Sequence, residues 1–305
     1  MVGVCDLFVL FIYSILILKL NIMASVKTLF YLLSILAQPV IAQGFTLVTY
    51  NIEDNSAQRS QQIQRLLDSI AEHEPDVVLL QEASARTVVA IQQQAVLSRY
   101  QLFAHRLADH SPASGLMILV KPQQTVSGFS YRPIPSEMGR GILQLKLRIA
   151  GIWHQLINIH LESADLLGSG ETYRRRQLKL LHDLAETAPH IIIAGDFNLA
   201  TTATEGQLTA TQLIDVWTTL HAGEQGATWE PKNNHVTKYF SWFLSPARLD
   251  RIWIKSVLTP QSIIRLNVDA TPPLSDHYGL LMTMTTPEDS SVAARITSAI
   301  RIITI

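Results

Sequence analysis

The chain has 305 residues, 24 basic and 25 acidic side chains, and 48% hydrophobic residues, for a formal charge of −1. That composition supplies a core for one large domain or two small ones and excludes an intrinsically disordered chain. The near-neutral balance argues against a sequence-nonspecific polyanion binder, leaving a local basic face as the remaining electrostatic route to one.

Residues 1–42 carry Asp6, Lys19 and Lys27 as their only charges, around the apolar runs Leu7 to Leu18 and Thr28 to Ala42. The second run follows Met23-Ala24-Ser25-Val26-Lys27 and closes on Val40-Ile41-Ala42-Gln43, compact residues of the kind a signal peptidase cleaves after. The segment therefore reads as a secretory signal peptide, with translation starting at Met23 and the protein exported to the periplasm or beyond. The other reading is a hairpin of two short membrane segments that anchors the protein. Neither run reaches the ~20 uninterrupted apolar residues of a comfortable span, which favours cleavage. Removing the leader leaves 22 basic and 24 acidic side chains, a charge of −2. The only cysteine, Cys5, goes with it. Disulfides, thiol catalysis and cysteine-ligated zinc are thereby excluded for the mature chain.

Phe45 to Asn51 reads as a strand that finishes on an amide. Gln58 to His73 places Ile63, Leu66, Leu67 and Ile70 at i, i+3, i+4 and i+7, an amphipathic helix. Pro75-Asp76 leads into Val77-Val78-Leu79-Leu80-Gln81-Glu82, a buried strand running out into an acid, for which a solvated strand end is the plainer account. A second helix is expected over Ala85 to Leu97. Strands follow at Gly115 to Val120, Thr125 to Tyr131, Gly141 to Ile149 and Ile152 to Ile159, with no helix between them, which predicts antiparallel pairing. The last continues into His160, and a lone His after a strand is by default structural. Glu171 to Glu186 is a helix with Leu178, Leu181 and Leu184 inward. Its Arg174, Arg175, Arg176 and Lys179 form either a solvated face or, beside an anionic substrate, a phosphate-binding one.

Ile191-Ile192-Ile193-Ala194-Gly195-Asp196-Phe197-Asn198 is a buried strand too stiff at χ1 to favour a helix. Gly195 permits a sharp turn, and if the extended geometry persists Asp196 and Asn198 point to one side. The plainer account is a turn cap, since Asp and Asn are turn-formers. Thr209 to Leu220 is expected to be helical. Ala227 to Ser245 is a polar, aromatic loop with Trp229, Asn233, Tyr239 and Trp242, where Trp229 stacks on a nucleobase or packs beneath the loop. Arg248 to Ile254 alternates as a strand, and Leu274-Ser275-Asp276-His277 precedes a final strand, Tyr278 to Thr285. The tail over 287–305 has no assigned role. There is no internal repeat or linker, so residues 43–286 read as one domain of about 240 residues.

Asn51, Glu82, His160, Asp196 with Asn198, Asp250, and Asp276 with His277 all sit at strand termini. Converging at one sheet edge, hard acids, amides and imidazoles suit phosphate ester hydrolysis. Carboxylates such as Glu82 hold Mg²⁺ or Mn²⁺ through oxygen, a protonated His offsets charge growing on phosphorus, and a further carboxylate aligns and deprotonates water. No Gly-Xaa-Ser-Xaa-Gly elbow and no phosphate-binding Gly-rich loop is present to support a serine hydrolase or an ATPase.

Taken together, Thr49-Tyr50-Asn51, Leu80-Gln81-Glu82, Asn158-Ile159-His160-Leu161, Gly195-Asp196-Phe197-Asn198, Asp250-Arg251-Ile252 and Ser275-Asp276-His277 resemble, in order, the motifs of the endonuclease/exonuclease/phosphatase superfamily. The resemblance implies an α/β four-layer sandwich, two mixed β-sheets with helices on both outer faces. It implies Glu82 as main metal ligand for Mg²⁺ or Mn²⁺ with Asn51 and Asp276 nearby, Asp196 positioning or deprotonating water, Asn198 and His160 binding phosphate, and Asp250 orienting a cationic His277. His160-Leu161-Glu162-Ser163, the helix start at Arg174 to Gln177, Thr228-Trp229 with Asn233, and Arg248-Leu249-Asp250-Arg251-Ile252 resemble the 5′-tyrosyl-DNA phosphodiesterase branch. Tyr50 and Phe197 depart from that branch, which commonly has Trp and a small residue there. Arg174, Trp229 and Asn233 are the expected substrate contacts. The expected partner is a phosphodiester, with nucleic acid first and a sphingomyelinase or inositol-phosphate phosphatase activity as the alternative. An inert phosphate-binding module is the reading from another class, and no obligate protein partner is expected of what reads as a monomer.

Overall fold

The uninterrupted apolar runs become central strands. β2 (Val77–Gln81), β4 (Leu116–Val120) and β8 (Ile191–Asp196) are buried along their whole length, as strands covered on both faces must be. The architecture is that of a computed structural model, which describes residues 44–54, 59–105, 115–163, 169–199, 212–233 and 244–285. The expected leader over 1–42 with its start at Met23, the tail over 287–305, and the loop positions Tyr239 and Trp242 lie outside the described residues.

Two six-stranded mixed sheets are present among the described residues. The first runs, in spatial order, β11 (Thr259–Leu266), β12 (Gly279–Thr285), β1 (Phe45–Asn51), β2, β4, β3 (Gln101–His105). The second runs β5 (Thr125–Pro133), β6 (Gly141–Ile149), β7 (Ile152–His160), β8, β10 (Asp250–Lys255), β9 (Ile214–Asp215). The parallel pairs, β1–β2 and β7–β8, are joined through helices, α1 (Ser60–Ala71) and α3 (Ser169–Thr187), because parallel strands need a crossover. Of the four strands of the middle section, β5, β6 and β7 pair antiparallel in succession as expected, whereas β4 lies in the first sheet, antiparallel to β2 and β3.

Period-two alternation sorts each strand between layers. Leu47, Val77 and Leu79 from the first sheet and Leu145, Leu156 and Ile192 from the second fill the space between the sheets. Their neighbours Val48, Val78 and Leu80 pack outward on Ile63, Leu66, Leu67 and Ile70 of α1. Ile157, Ile159, Ile191 and Ile193 do the same with Leu178 and Leu181 of α3. Three apolar layers thus separate helix, sheet, sheet and helix, the sandwich expected from the sequence.

Local polar chemistry shifts several boundaries. The helix expected over Ala85 to Leu97 stops at Gln93 (α2, Ala85–Gln93). The Gln94 side-chain carbonyl accepts from Val96 N at 2.6 Å and Leu97 N at 2.7 Å, taking the chain into a 3-10 turn at Leu97–Arg99. The helix expected over Thr209 to Leu220 is, within the described residues, the short strand β9 followed by α4 (Val216–Leu220). Asp215 sets that start by accepting from Trp217 N at 3.0 Å and Thr218 N at 3.4 Å, the work of an N-cap. β3 and β11 were not expected. Both are half-exposed edge strands without a continuous apolar run, so neither period stands out in the sequence.

At one end of the inter-sheet core the apolar filling gives way to amides. Gln81 Nε2 donates to Asn158 Oδ1 at 2.7 Å and to Thr49 Oγ1 at 3.1 Å, and Asn158 Nδ2 donates to the carbonyls of Leu80 and Met117. All three side chains are fully buried. They tie the two sheets together where the strand ends converge, each amide nitrogen finding its acceptors.

Candidate active site

Register builds the site. In the second sheet Asp196 at the end of β8 pairs with His160 of β7 on one side and Asp250 of β10 on the other. In the first sheet Asn51 pairs with Gln81, one residue before Glu82. Gly195 (φ +141) lies so close to β7 that a Cβ would meet the Ile159 carbonyl oxygen at 2.0 Å, so only glycine allows His160 and Asp196 to stand side by side. Glu53, Glu82 and Asn198 all take left-handed backbone (φ 49, 55 and 50), uncommon conformations that cluster at sites where strand ends are bent to aim side chains.

Asp196 is the hub. Its Oδ2 accepts from Asn51 Nδ2 at 3.1 Å, lies 3.4 Å from His160 Nε2 and 3.8 Å from His277 Nε2, while Oδ1 accepts from Asn198 N at 2.8 Å. Burial raises its carboxyl to about 6, the His277 charge pulling the other way. His277 Nδ1 sits 2.7 Å from Asp250 Oδ2, and Asp250 N is held by Thr228 Oγ1 at 3.0 Å. Burial alone would lower the His277 value, but the carboxylates of Asp250, Asp276 and Asp196 overcome it and hold it well above normal. Asp196, Asp250 and His277 offer atoms within 4.8 Å of one another. Because Asp250 and His277 already hydrogen-bond each other at 2.7 Å, this trio is better suited to proton handling than to holding an ion.

Glu82 lies 4.0 Å from His160 Nε2, with its side chain 20% exposed. Burial, then the charge of Asp276, raises it to about 7. Asn51 Nδ2 donates to Glu82 Oε1 at 3.1 Å, while Asn51 Oδ1 accepts from Glu53 N at 3.2 Å. Asn51 therefore presents its N–H groups, and not its oxygen, to the carboxylates. An oxygen-only pair, Glu82 and Asp276, whose repulsion raises a pKa fits a hard divalent cation. Since the folded value of Glu82 lies above its ordinary 4.5, the contribution of Glu82 to stability is full below pH 4.5 and is lost as pH rises through about 7. Glu82→Gln, measured in chelator, is accordingly expected to raise the thermal midpoint by ~2–6 °C at pH 8 and little at pH 5. A lower midpoint at pH 8 would remove the charge-repulsion account.

The remaining expected residues divide. Asn198 does not continue the extended geometry of β8. With φ 50 its side chain turns away to donate to the Leu161 carbonyl at 3.0 Å, so Asp196 and Asn198 do not project in parallel, and the turn-cap account holds alongside the site. Trp229, half-buried, bridges Ala247 and His277 through its backbone and donates from Nε1 to Asp276 Oδ2 at 3.3 Å. Arg174 donates to the Glu162 carbonyl at 2.8 Å, and Asn233 to Tyr278 Oη at 3.2 Å. Arg175 and Lys179 pair with Glu171 and Asp183 at exposed i, i+4 positions, the solvated face. Two residues were missed. Glu53 accepts from Asp276 N at 3.2 Å and from Arg59 at 3.0 Å, tying the Ser275–His277 turn to the end of β1. Buried Arg140 reaches His160. Glu53 adjoins a motif and could have been read as part of it, whereas nothing local marks Arg140.

A two-sheet sandwich whose strand ends gather carboxylates, amides and two imidazoles at one place has the layout of a phosphoesterase fold. The chain belongs to the Endonuclease/Exonuclease/phosphatase family, whose model matches residues 48–277. Solved structures with the same fold include a humanized D. rerio TDP2 carrying 14 mutations (tyrosyl-DNA phosphodiesterase 2; 23% identity, TM-score 0.68, 80% of this chain and 99% of that one). D. rerio TDP2 complexed with single-strand DNA product matches at 23% identity and TM-score 0.68, over 80% and 100% of the two chains. A Bacteroides vulgatus endonuclease/exonuclease/phosphatase matches at 18% identity and TM-score 0.63, over 80% and 100%. No curated protein matches in sequence. At these identities the structural likeness concerns the fold.

Proposed function

We propose that the protein is a divalent-metal-dependent phosphodiesterase acting on nucleic acid, as a nuclease or in the manner of a tyrosyl-DNA phosphodiesterase. The observation that carries this reading is the Asp196 carboxylate, in reach of Asn51, His160 and His277 at once and poised near 6, as a general base should be. Asp196 takes the proton from the attacking water beside Asn51 as the water oxygen bonds to phosphorus; the P–O bond to the leaving group breaks, and the departing oxygen takes up a proton from solvent. His277, kept cationic by Asp250, offsets negative charge on the phosphoryl oxygens, and His160 donates to one of them. Mg²⁺ or Mn²⁺ held by Glu82 and Asp276 would supply Lewis-acid charge neutralisation there. Nucleic acid is favoured because a related fold has been captured with a single-strand DNA product and a half-buried indole borders the site. Export through the leader, a monomeric state, and substrate contacts from Arg174, Trp229 and Asn233 belong to the same proposal.

The test is a panel of plasmid DNA, 5′-tyrosyl oligonucleotide, sphingomyelin and inositol phosphates with Mg²⁺ and with EDTA. Cleavage of either nucleic acid that EDTA abolishes and Mg²⁺ restores is expected, and turnover undiminished in chelator would end the metal-dependent reading. Trp229 divides chemistry from substrate choice. Trp229→Ala is expected to weaken nucleic acid cleavage ~10–100-fold relative to a small chromogenic diester, with Trp229→Phe, which keeps a ring, within a few-fold of wild type. Equal losses on both substrates would leave the indole only its hold on Asp276.

A further inference from the structure

We propose that Arg140 is a positioning residue that fixes His160 in its Nε2–H tautomer, and that the Ser136–Arg140 loop is built to keep the guanidinium on that imidazole. Arg140 Nη1 lies 2.8 Å from His160 Nδ1, with the two residues 4% and 2% exposed. A guanidinium has N–H donors and no lone pair. The contact is therefore a hydrogen bond only if Nδ1 offers a lone pair, which leaves the proton of the ring on Nε2. A doubly protonated ring would set an N–H against a buried cation at hydrogen-bond distance, and the Nδ1–H tautomer would do the same. The other side of the ring agrees: Nε2 faces acceptors, Asp196 Oδ2 at 3.4 Å and Glu82 Oε1 at 4.0 Å.

The loop that delivers Arg140 is organised by Glu162, two residues beyond His160 and 1% exposed. Its Oε1 accepts from Glu137 N at 3.0 Å and Met138 N at 3.1 Å, and its Oε2 from the Ser136 hydroxyl. Ser136 Oγ in turn accepts from Arg140 N at 2.9 Å. Gln177 of α3 closes the arrangement, its Oε1 accepting from Glu162 N at 2.9 Å and its Nε2 donating to the Pro135 carbonyl at 2.8 Å. The segment leaving β7 thus reaches back, through Glu162 and Ser136, to place a cation behind His160. Burial lowers the Arg140 value and the carboxylates of Glu82, Asp196 and Glu162 offset only part of that, yet a guanidinium so lowered keeps its charge. The two imidazoles then differ in kind, His277 a cation backed by a carboxylate and His160 a neutral donor backed by a cation. That His160 gives its Nε2–H to a phosphate oxygen rests on the phosphoesterase reading, while the tautomer itself does not.

Long-range ¹H–¹⁵N spectra of the ¹⁵N-labelled full chain near neutral pH, without substrate or divalent ion, read the tautomer directly. His160 is assigned by the signals lost in His160→Gln. The expected pattern is an unprotonated Nδ1 and a protonated Nε2. Arg140→Met should lose that single pattern and populate Nδ1–H, Arg140→Lys should restore it, and Glu162→Gln should shift it partway toward the Arg140→Met pattern. A protonated Nδ1 in the wild type, or an unchanged pattern in folded Arg140→Met, overturns the proposal, and the wild-type spectrum decides even where a variant fails to fold. A protein that cleaves no phosphodiester yet keeps this pattern would sink the hydrolase reading and leave the tautomer standing.

Discussion

Asp196→Asn is expected to lower turnover by ~10²–10⁴-fold on every phosphodiester the protein accepts, with KM changed only a few-fold. The amide keeps the shape of the side chain and an oxygen to accept from Asn198 N, so the bend after β8 survives. What it removes is the ability to take a proton. In the wild type, burial raises Asp196 to about 6, so activity should climb as pH rises through about 6, and that acid limb should vanish from the residual activity of the variant. kcat and KM measured against pH on a small diester and on a nucleic acid check both points. A variant that retains more than about a tenth of wild-type turnover would assign the base elsewhere.

His277→Ala should cost ~10²–10³-fold in kcat, because a preorganised cation acts on charge that develops only in the transition state. Asp250→Asn tests how that cation is kept. Burial by itself lowers the His277 value and the Asp250, Asp276 and Asp196 carboxylates raise it well above normal. Without the carboxylate at 2.7 Å, the imidazolium loses its proton at lower pH, so the alkaline limb of the profile should move toward acid. Activity should fall most above neutral pH and least below it. An alkaline limb that stays in place would show that Asp250 orients the ring without setting its charge. Asp250 is fully buried, so a thermal midpoint measured alongside separates loss of fold from loss of charge.

The sequence by itself determined the layers and which side chains stand at the strand ends. Buried runs such as Val77–Gln81 and Ile191–Asp196 fill central strands because no amphipathic alternative exists for residues apolar on both sides. Helices α1 and α3 follow from a 3.6-residue stripe. Asn51, Glu82, His160 and Asp196 were legible because each ends a run that otherwise has no reason to be polar, and Asp250 and His277 because each stands at or just before the start of a strand. What stayed hidden was local or distant in ways that periodicity does not record. Gln94 and Asp215 ended or started helices through single side-chain hydrogen bonds, and the edge strands β3 and β11 carry too few buried residues to mark a period. Only the tertiary structure decided that Asn51 offers nitrogen to the carboxylates, that Asn198 turns aside, that Trp229 holds Asp276, and that Arg140 stands behind His160. Each of these depends on which way a side chain faces once two sheets are closed on each other, and chain separations such as the 145 residues between Asn51 and Asp196 leave no trace in the spacing of either motif.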